Sequence, residues 1–400
     1  MAKKAKEKPK VYFPGLHGLR FFAAMMVVFS HVELMKDYHG YANLYSSSMA
    51  VYESGRLGVT LFFVLSGFLI SYLLLKENEV AGSIAVQKFY GRRILRIWPL
   101  YYLLVILTFV VIPRLSFFAV PKYTAALPVN FRYTFPLYLL LLPQVALSVF
   151  NPVPFAEPLW SIGVEEQFYL LWPVLMKYVK RFLGLTIVII VGAVALRQLI
   201  FFIAEANRAS ASLKYWNYLL NYLYFTRIEC MAVGGLGAWL VFNQQRKILQ
   251  VMFHPAFQLL LYAATIFLIV TERNKPAYNY LLYAICFCLI IINVAANRKS
   301  LIRIENRWFV FLGNISFSIY MFHELVIKSV MEILVRWGGT VFNDGLSNVI
   351  LYAASILFTL MVSSIAYYFF ERPFLRLKSS FAVVESGQDL IEKGAVPATA

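Results

Sequence analysis

Long apolar stretches separated by short basic segments dominate the chain. Many of them approach the ~20 residues that a helix needs to cross the hydrocarbon core of a bilayer. The stretches that predict spanning helices are 18–36, 58–75, 97–113, 158–179, 182–204, 225–243, 255–271, 277–296, 308–335 and 346–370. The pattern therefore predicts an all-α polytopic membrane protein with about ten transmembrane helices.

Two further stretches are predicted to lie at the membrane without crossing it. Residues 137–150 are apolar but bracketed by Pro136 and Pro152, and they are too short and too broken for a span. We expect a re-entrant or interfacial segment there, which requires cover from protein or a water-filled cavity. Residues 213–226 are rich in Tyr, Trp and Asn and predict an interfacial helix that leads into the next span.

The composition supports this class: 60% of the residues are hydrophobic and only 14% are charged, unlike a soluble domain. The net charge of +17 is gathered in short segments between apolar stretches, such as Lys88–Arg96, Arg298–Arg307 and Arg372–Lys378. Such segments are typical of loops kept in the cytoplasm, so the charge predicts membrane topology and no nucleic-acid partner. An even number of spans in the plasma membrane, with both termini cytoplasmic, satisfies this bias best.

The same charge pattern divides the chain. Residues 1–13 are predicted to be a cytoplasmic N-terminal tail, 14–376 the integral-membrane domain, and 377–400 a cytoplasmic C-terminal tail that is disordered from Ser379. The three cysteines lie in apolar stretches and predict packing residues, with no disulfide or zinc site. There is no P-loop, no dinucleotide-binding glycine pattern, no hydrolase elbow and no histidine pair at metal-ligand spacing, so no metal or tightly bound cofactor is predicted.

The first predicted span carries two ionisable residues, Arg20 and His31, in an otherwise apolar stretch. They are eleven positions apart, which puts them on the same face of a helix about 16 Å apart. Ionisable side chains are costly within a membrane, so they favour a functional site over a flanking arginine and a core histidine. Histidine suits general-base work on a hydroxyl. Glu33 faces elsewhere, so a partner that orients His31 must come from another helix.

A second candidate is the pair of adjacent carboxylates Glu165 and Glu166 in the apolar segment that begins at Pro158. At ~100° apart they cannot share one face of a helix. Ser161 and Glu165 lie on one stripe, and Glu166 lies on the next. Either carboxylate is the candidate partner of a buried histidine or arginine, and the alternative is a solvated helix start at the interface.

A third candidate is the basic cluster Arg92, Arg93 and Arg96. Arg96 is three positions from Arg93 and four from Arg92, so it neighbours both on one helical surface. Guanidinium groups bind phosphate oxygens in a bidentate manner, although a cytoplasmic basic loop would show the same residues. Two weaker signals, the pair Arg227 and Glu229 and the late histidine His323, predict an internal ion pair or packing groups.

Taken in order, the motifs of this chain resemble acyltransferase family 3, the integral-membrane O-acyltransferases that modify envelope polysaccharides and other carbohydrates. The resemblance runs from about Phe13 to Arg376. The motifs that carry it are the arginine–ten residues–histidine signature at Arg20 and His31, Phe-Phe-Val-Leu-Ser-Gly-Phe-Leu-Ile at Phe62–Ile70, the arginine–two residues–arginine motif at Arg93 and Arg96, the Trp-Ser…Glu-Glu-Gln-Phe-Tyr signature at Trp160–Tyr169, Ser316–His323, and Glu-Arg-Pro-Phe at Glu371–Phe374.

The chain also departs from the family pattern in two places. His17 stands where relatives commonly have an aspartate, and Leu325 stands where a proline usually follows the late histidine. Roles borrowed for these two positions are therefore not carried over. The 400 residues contain no hydrolase-like domain of the kind that some relatives append, so we expect transfer within the membrane unit or with a separate partner protein.

The resemblance implies a membrane enzyme that moves an acyl group, acetyl above all, from cytoplasmic acyl-coenzyme A to a hydroxyl of a carbohydrate or glycoconjugate. His31 would be the general base or a transient acyl carrier, oriented by Glu165, with Glu166 the next candidate. Arg20 would bind the donor or stabilise developing negative charge. The donor phosphates would be held by Arg93 and Arg96, with Arg92 beside them. The alternative from another class is a transporter or flippase of a glycolipid or small polar substrate, with the ionisable residues along its path.

Overall fold

The structure is a computed structural model that describes residues 8–120, 127–271, 279–339 and 341–392. Nearly all of it is helical. The α-helices are α1 (Leu16–Tyr38), α2 (Met49–Ala81), α3 (Val86–Ile106), α4 (Leu127–Leu139), α5 (Pro143–Val149), α6 (Leu159–Tyr178), α7 (Phe182–Ala206), α8 (Leu213–Phe225), α9 (Ile228–Phe242), α10 (Arg246–Phe253), α11 (Pro255–Val270), α12 (Asn279–Ala296), α13 (Arg307–Asn314), α14 (Ser316–Gly338), α15 (Gly345–Ala366), α16 (Arg372–Lys378) and α17 (Gly387–Glu392).

Short π- and 3₁₀-helical turns and two short strands complete these elements. The π turns are Leu107–Val111 and Tyr367–Glu371, the 3₁₀ turns are Ile112–Arg114, Ser116–Phe118 and Ser379–Phe381, and the strands are β1 (Lys10–Val11) and β2 (Glu385–Ser386). The prediction of an all-α membrane protein is confirmed, because the described strands cover two residues each.

Among the described residues, fewer helices than predicted are long and apolar enough to cross a membrane. Six helical segments among the described residues are long and apolar enough to cross a bilayer. The number rises to eight if each of two bent helix pairs forms one span. The bends are 68° between α10 and α11 and 62° between α13 and α14. The predicted count of about ten is therefore not confirmed. Two of the predicted spans do not meet this test. Glu165 and Glu166 make α6 less apolar, and the apolar part of α12, Tyr280–Ala296, is too short.

The segment 137–150 forms no span, as predicted. The chain breaks after α4 at Leu141, which has a positive φ of 60°. The short helix α5 then packs against α6 and α8. Its Gln144 side chain is fully buried against Gly163 of α6. Protein therefore covers this irregular stretch of backbone, as non-helical structure near a bilayer requires.

The centre of the bundle is built on α2, which packs along both α1 and α9. The contact between α2 and α9 is made by two glycines: Gly67 lies against the backbone of Met231, and Gly234 lies against the carbonyl oxygen of Val64. Small residues allow such close approach of helix backbones in membranes, where van der Waals contact replaces the hydrophobic effect between helices. α14 packs on the other side of α1, so α1 is held between two long helices.

The two ends of the described chain meet, and this corrects the prediction of disorder from Ser379. β1 pairs in parallel with β2, and the β2 residue Ser386 hydrogen bonds through both its N–H and its hydroxyl to Asp389. Asp389 also pairs with Lys378 at 3.1 Å. We call Lys10–Val11 together with Ser379–Glu392 the terminal clasp. Ser386 and Asp389 find partners in the clasp and in the adjacent Lys378, whereas the polar composition predicts a solvated tail. Residues 1–7 and 393–400 lie outside the described residues.

The glycine contact between α2 and α9 yields a test of the fold. Gly234→Ala should lower the thermal unfolding midpoint of the detergent-solubilised chain, because the added methyl overlaps the Val64 carbonyl. Overpacking of this kind costs about 1–3 kcal/mol. The matched control is Gly192→Ala in α7, where an added methyl meets nothing within 4 Å. Equal midpoints for the two variants would show that the close approach of α2 and α9 is not important for stability.

Candidate active site in two adjoining cavities

Two cavities lie inside the helix bundle, and Val59 and Tyr320 belong to the walls of both. The first, which we call the basic cavity, has a volume of about 730 Å³. The second, which we call the histidine cavity, has a volume of about 1030 Å³. The Tyr320 hydroxyl donates a hydrogen bond to the carbonyl of Pro158 at 2.8 Å and lies 2.7 Å from the hydroxyl of Ser161. These bonds fix Tyr320 as part of the boundary between the two cavities.

The basic cavity collects the arginines that the sequence singled out. Arg20 comes from α1, whereas Arg93 and Arg96 come from successive turns of α3, and all three line the cavity. The guanidinium of Arg93 lies 5.5 Å from the ring centres of both Phe89 and Tyr169, a distance at which cation–π attraction holds it in place. Its Nε is buried and makes no hydrogen bond within the described residues. An oxygen-rich anion in the cavity would supply that partner.

Glu165 is the carboxylate of the basic cavity. It accepts hydrogen bonds of 2.8 Å from the hydroxyls of both Ser66 on α2 and Tyr169 on α6. Ser161, one turn earlier on α6, lines the same cavity, so the predicted stripe of Ser161 and Glu165 is confirmed. Three arginines and one carboxylate line the cavity, and such a wall favours an anionic ligand.

The positive region continues toward the terminal clasp. A smaller adjoining cavity is lined by the same three arginines, by His17 and Lys378, and by clasp residues Val11 and Ser386. His17 is buried, and its ring stacks beside that of Tyr12 at 6.5 Å between centres. The clasp therefore forms part of the wall of this cationic region.

The histidine cavity holds His31, whose side chain is 17% exposed. Its Nδ1 lies 2.8 Å from the carbonyl oxygen of Val27, one turn earlier on α1. A carbonyl can only accept, so this contact requires the proton on Nδ1 and leaves the lone pair of a neutral ring on Nε2. The Nε2 atom faces Glu324 of α14, at 3.4 Å from its Oε1. The ring of His323 stands edge-on to that of His31, with 4.7 Å between centres.

The rest of the histidine cavity combines aromatic rings with a few polar groups. Its wall includes Tyr45, Tyr52, Trp160, Tyr224 and Phe225, together with Arg56, Glu157 and Asn221. The guanidinium of Arg56 lies 3.8 Å from the centre of the Tyr52 ring. Glu157 accepts a hydrogen bond of 2.9 Å from Tyr38. Aromatic faces with scattered donors and acceptors suit a ligand that has both apolar faces and hydroxyls.

The structure separates several residues that the sequence had grouped. Arg20 and His31 share α1 but line different cavities. The carboxylate that meets His31 is that of Glu324, whereas Glu165, which was predicted to orient His31, is bonded in the basic cavity. No local pattern around Glu324 predicts its contact with His31, because the two residues lie on helices far apart in the chain. The only nearby signal in the sequence is His323.

Two further candidates lie outside the basic cavity. Arg92 pairs with Glu77 at 3.1 Å and donates to the carbonyl of Phe381 at 2.9 Å, so it ties α3 to α2 and to the terminal clasp. Glu166 accepts a hydrogen bond of 3.0 Å from the indole of Trp98. Both residues are therefore occupied in contacts beside the cavity, and neither is among the residues that line it.

Arg227 and Glu229, for which the sequence predicts an internal ion pair or packing groups, are both buried and have separate partners. Arg227 is fully buried, with its guanidinium 3.4 Å from the centre of the Tyr280 ring. Glu229 pairs with Arg197 of α7 at 2.6 Å. Both interactions hold α9 in the bundle behind the wall of the histidine cavity.

Comparison with known proteins gives a consistent family. O-acetyltransferase OatA of Staphylococcus aureus strain NCTC 8325 is 28% identical over 392 residues, which covers 90% of this chain and 57% of the relative. OatA of strain COL matches with the same values. The chain thus spans a little over half the length of these relatives. No solved structure gives a significant match. The family model of the acyltransferase domain matches residues 13–368, and the chain therefore belongs to acyltransferase family 3.

Proposed function

We propose that this chain is a multipass membrane O-acyltransferase that moves an acetyl group from acetyl-coenzyme A to a hydroxyl of a carbohydrate or glycoconjugate. The observation that carries the proposal is the pair of adjoining cavities, one rich in arginine and the other holding a histidine whose Nε2 carries the lone pair. The names of the staphylococcal relatives support acetyl transfer. Family membership favours a transferase over the alternative of a transporter or flippase.

The donor would bind in the basic cavity. Coenzyme A carries several phosphate charges, and Arg20, Arg93 and Arg96 present guanidinium groups that match phosphate oxygens. No tightly bound cofactor is needed, because the thioester itself is the activated substrate. The basic segments beside α3 support a cytoplasmic position for this cavity, the side on which we expect the donor.

The acceptor would enter the histidine cavity from the opposite side. Its hydroxyl would lie against Nε2 of His31 and attack the thioester carbonyl, which reaches the shared wall at Val59 and Tyr320. The C–O bond forms as the C–S bond breaks, and Nε2 takes the hydroxyl proton and returns it to the leaving thiolate. The negative charge of Glu324, 3.4 Å away, would stabilise the imidazolium between these steps. Direct transfer and a transient acyl-histidine share this geometry.

The protein environment would also prevent loss of the acetyl group to water. The reacting atoms would meet within the bundle, bounded by buried Ser161 and Tyr320, so that bulk water is excluded from the thioester. Membrane lipid would surround the apolar outer faces, and we expect the chain to lie in the plasma membrane with both termini in the cytoplasm.

The donor site can be tested with arginine variants. Arg93→Ala and Arg96→Ala should each weaken binding of a non-hydrolysable acetyl-coenzyme A analogue about tenfold or more, the loss expected for one charged hydrogen bond. Lysine at either position should restore binding only in part, because it lacks the guanidinium fork. The control is Arg376→Ala, an exposed arginine of α16. Calorimetry on the solubilised chain measures the affinity, and unchanged affinity in both alanine variants would contradict the donor site.

The base and its partner can be tested by kinetics. His31→Ala should reduce acetyl transfer by ~10²–10⁴-fold while the protein stays folded. Glu324→Gln should lower turnover with little change in donor affinity, because it removes the charge next to the imidazolium. Adding Glu324→Gln to His31→Ala should then cost little more, since residues that act together are not additive. Combining Glu165→Gln with His31→Ala should instead give additive losses of activity. Additive losses with Glu324→Gln and non-additive losses with Glu165→Gln would indicate Glu165 as the partner of His31.

The orientation can be tested by labelling intact cells with an impermeant maleimide. Ser47 and Lys88 are exposed and flank α2 at opposite ends. The native cysteines Cys230, Cys286 and Cys288 are buried. Ser47→Cys should be labelled from outside, whereas Lys88→Cys should react only after the cells are permeabilised. Labelling of Lys88→Cys in intact cells would reverse the proposed topology.

A further inference from the structure

The side chains of His31, His323 and Glu324 form a compact cluster at the end of the histidine cavity. Each contributes one donor atom, and these atoms all lie within 4.8 Å of one another. The His31 Nε2 and the Glu324 Oε1 are 3.4 Å apart. His323 and Glu324 are almost fully buried, and His31 is the member that opens to the cavity.

Both imidazoles are held in the orientation that metal coordination requires. The Nδ1 of His31 lies 2.8 Å from the carbonyl of Val27, and the Nδ1 of His323 lies 2.8 Å from the carbonyl of Tyr320. Each carbonyl selects the tautomer with a lone pair on Nε2. Metal-binding histidines are fixed in this same way, by a backbone or carboxylate acceptor on the other ring nitrogen.

A separate observation points to a ligand at this cluster. The His323 side chain is fully buried, and its Nε2 makes no hydrogen bond within the described residues. A buried polar atom without a partner is costly, so a ligand that satisfies it is stabilised. Because His31 and Glu324 belong to the same cluster, a cation that accepts lone pairs would satisfy all three groups at once.

We infer that His31, His323 and Glu324 bind a divalent transition metal ion, Zn²⁺ in particular, and that the bound ion stops acyl transfer. Two imidazoles and one carboxylate are a common zinc ligand set that leaves a fourth position open. Donor atoms ~2.0–2.2 Å from a tetrahedral zinc ion lie about 3.3–3.6 Å apart. The His31–Glu324 distance already fits this geometry, and the widest separation of 4.8 Å closes with a small rotation of side chains.

The fourth position would face the histidine cavity, where water or a substrate hydroxyl completes the coordination. Glu157 lines the same cavity and adds a second carboxylate near the ion. The inhibitory effect rests on the proposed function, in which Nε2 of His31 is the base. A metal ion on that atom takes the lone pair that would accept the hydroxyl proton, so the base is lost for as long as the ion stays bound.

Zinc binding can be measured without any turnover. The solubilised full chain, stripped with a chelator and exchanged into chelator-free buffer, is titrated with Zn²⁺ by calorimetry and with Co²⁺ by visible absorption, which reports tetrahedral coordination. We expect one site per chain, weakened at least about tenfold in His323→Ala and in Glu324→Gln, since even the loss of an outer-shell partner costs 10–100-fold. The control is His254→Ala, an exposed histidine at the start of α11. The buried cysteines are present in every variant and cancel in the comparison.

Acyl-transfer assays then separate the site from its effect. Zinc at saturating concentration should stop transfer by the wild-type chain and by His254→Ala, and a chelator should restore it. Equal zinc affinity in the wild type, His323→Ala and Glu324→Gln would overturn the site. If His323→Ala fails to fold, the isosteric Glu324→Gln variant decides. Zinc binding without any loss of transfer would overturn the inhibition, whereas a chain that binds zinc but transfers nothing in its absence contradicts only the proposed function.

Discussion

The cost of burying charge inside an apolar bundle is the constraint on which the rest of this structure depends. Several ionisable groups meet it by pairing within the bundle, as Arg197 does with Glu229 at 2.6 Å and Lys36 does with Glu33 at 3.0 Å. Such pairs leave no net charge to attract a ligand, and they tie α7 to α9 and stiffen α1. They are structural groups, even though their sequence positions look as unusual as those of the cavity residues.

The charges that line cavities follow a different logic. The wall of the basic cavity includes Arg20, Arg93 and Arg96 but only one carboxylate, that of Glu165, a balance that favours an anionic ligand. In the histidine cavity charged side chains are fewer, and aromatic rings form much of the wall. The two environments adjoin at Tyr320, whose bonds to Pro158 and Ser161 hold α14 against the start of α6. Electrostatics would therefore favour an anionic donor in the basic cavity and a neutral, hydroxyl-bearing acceptor in the histidine cavity.

The helix α1 connects the basic cavity and the histidine cavity. It packs between α2 and α14, and it presents Arg20 to one cavity and His31 to the other. The close glycine contact of α2 with α9 gives α1 a firm support on one side, while α14 supplies Glu324 and His323 on the other. The terminal clasp closes the cationic end, where Ser386 and Lys378 share a wall with the arginines. In the proposed reaction, α1 would therefore fix the distance between the donor and the acceptor.

The sequence by itself determined the class of the protein, because apolar length and basic loops reflect the energetics of a bilayer that acts on each segment separately. It also indicated Arg20, His31, Arg93, Arg96 and Glu165 as candidate site residues, since a charge in an apolar stretch stands out locally and the motifs around it resemble those of a family. The family model confirms that resemblance across residues 13–368. Helix periodicity further placed Ser161 and Glu165 on one stripe, which needs only the geometry of a single helix.

Only the tertiary structure decided which of these residues meet. Glu324 and His323 face His31 from a helix far along the chain, and no local pattern reports a contact between distant segments. For the same reason His31 and His323, which are not at metal-ligand spacing in the sequence, form a cluster with Glu324 in space. Arg92 does not line the basic cavity with the other predicted donor residues, because it is bonded to Glu77 and to the Phe381 carbonyl. The C-terminal residues have defined contacts because β1 pairs with β2. Periodicity fixes the direction of a side chain about its own helix, but the identity of its partner depends on how the helices pack.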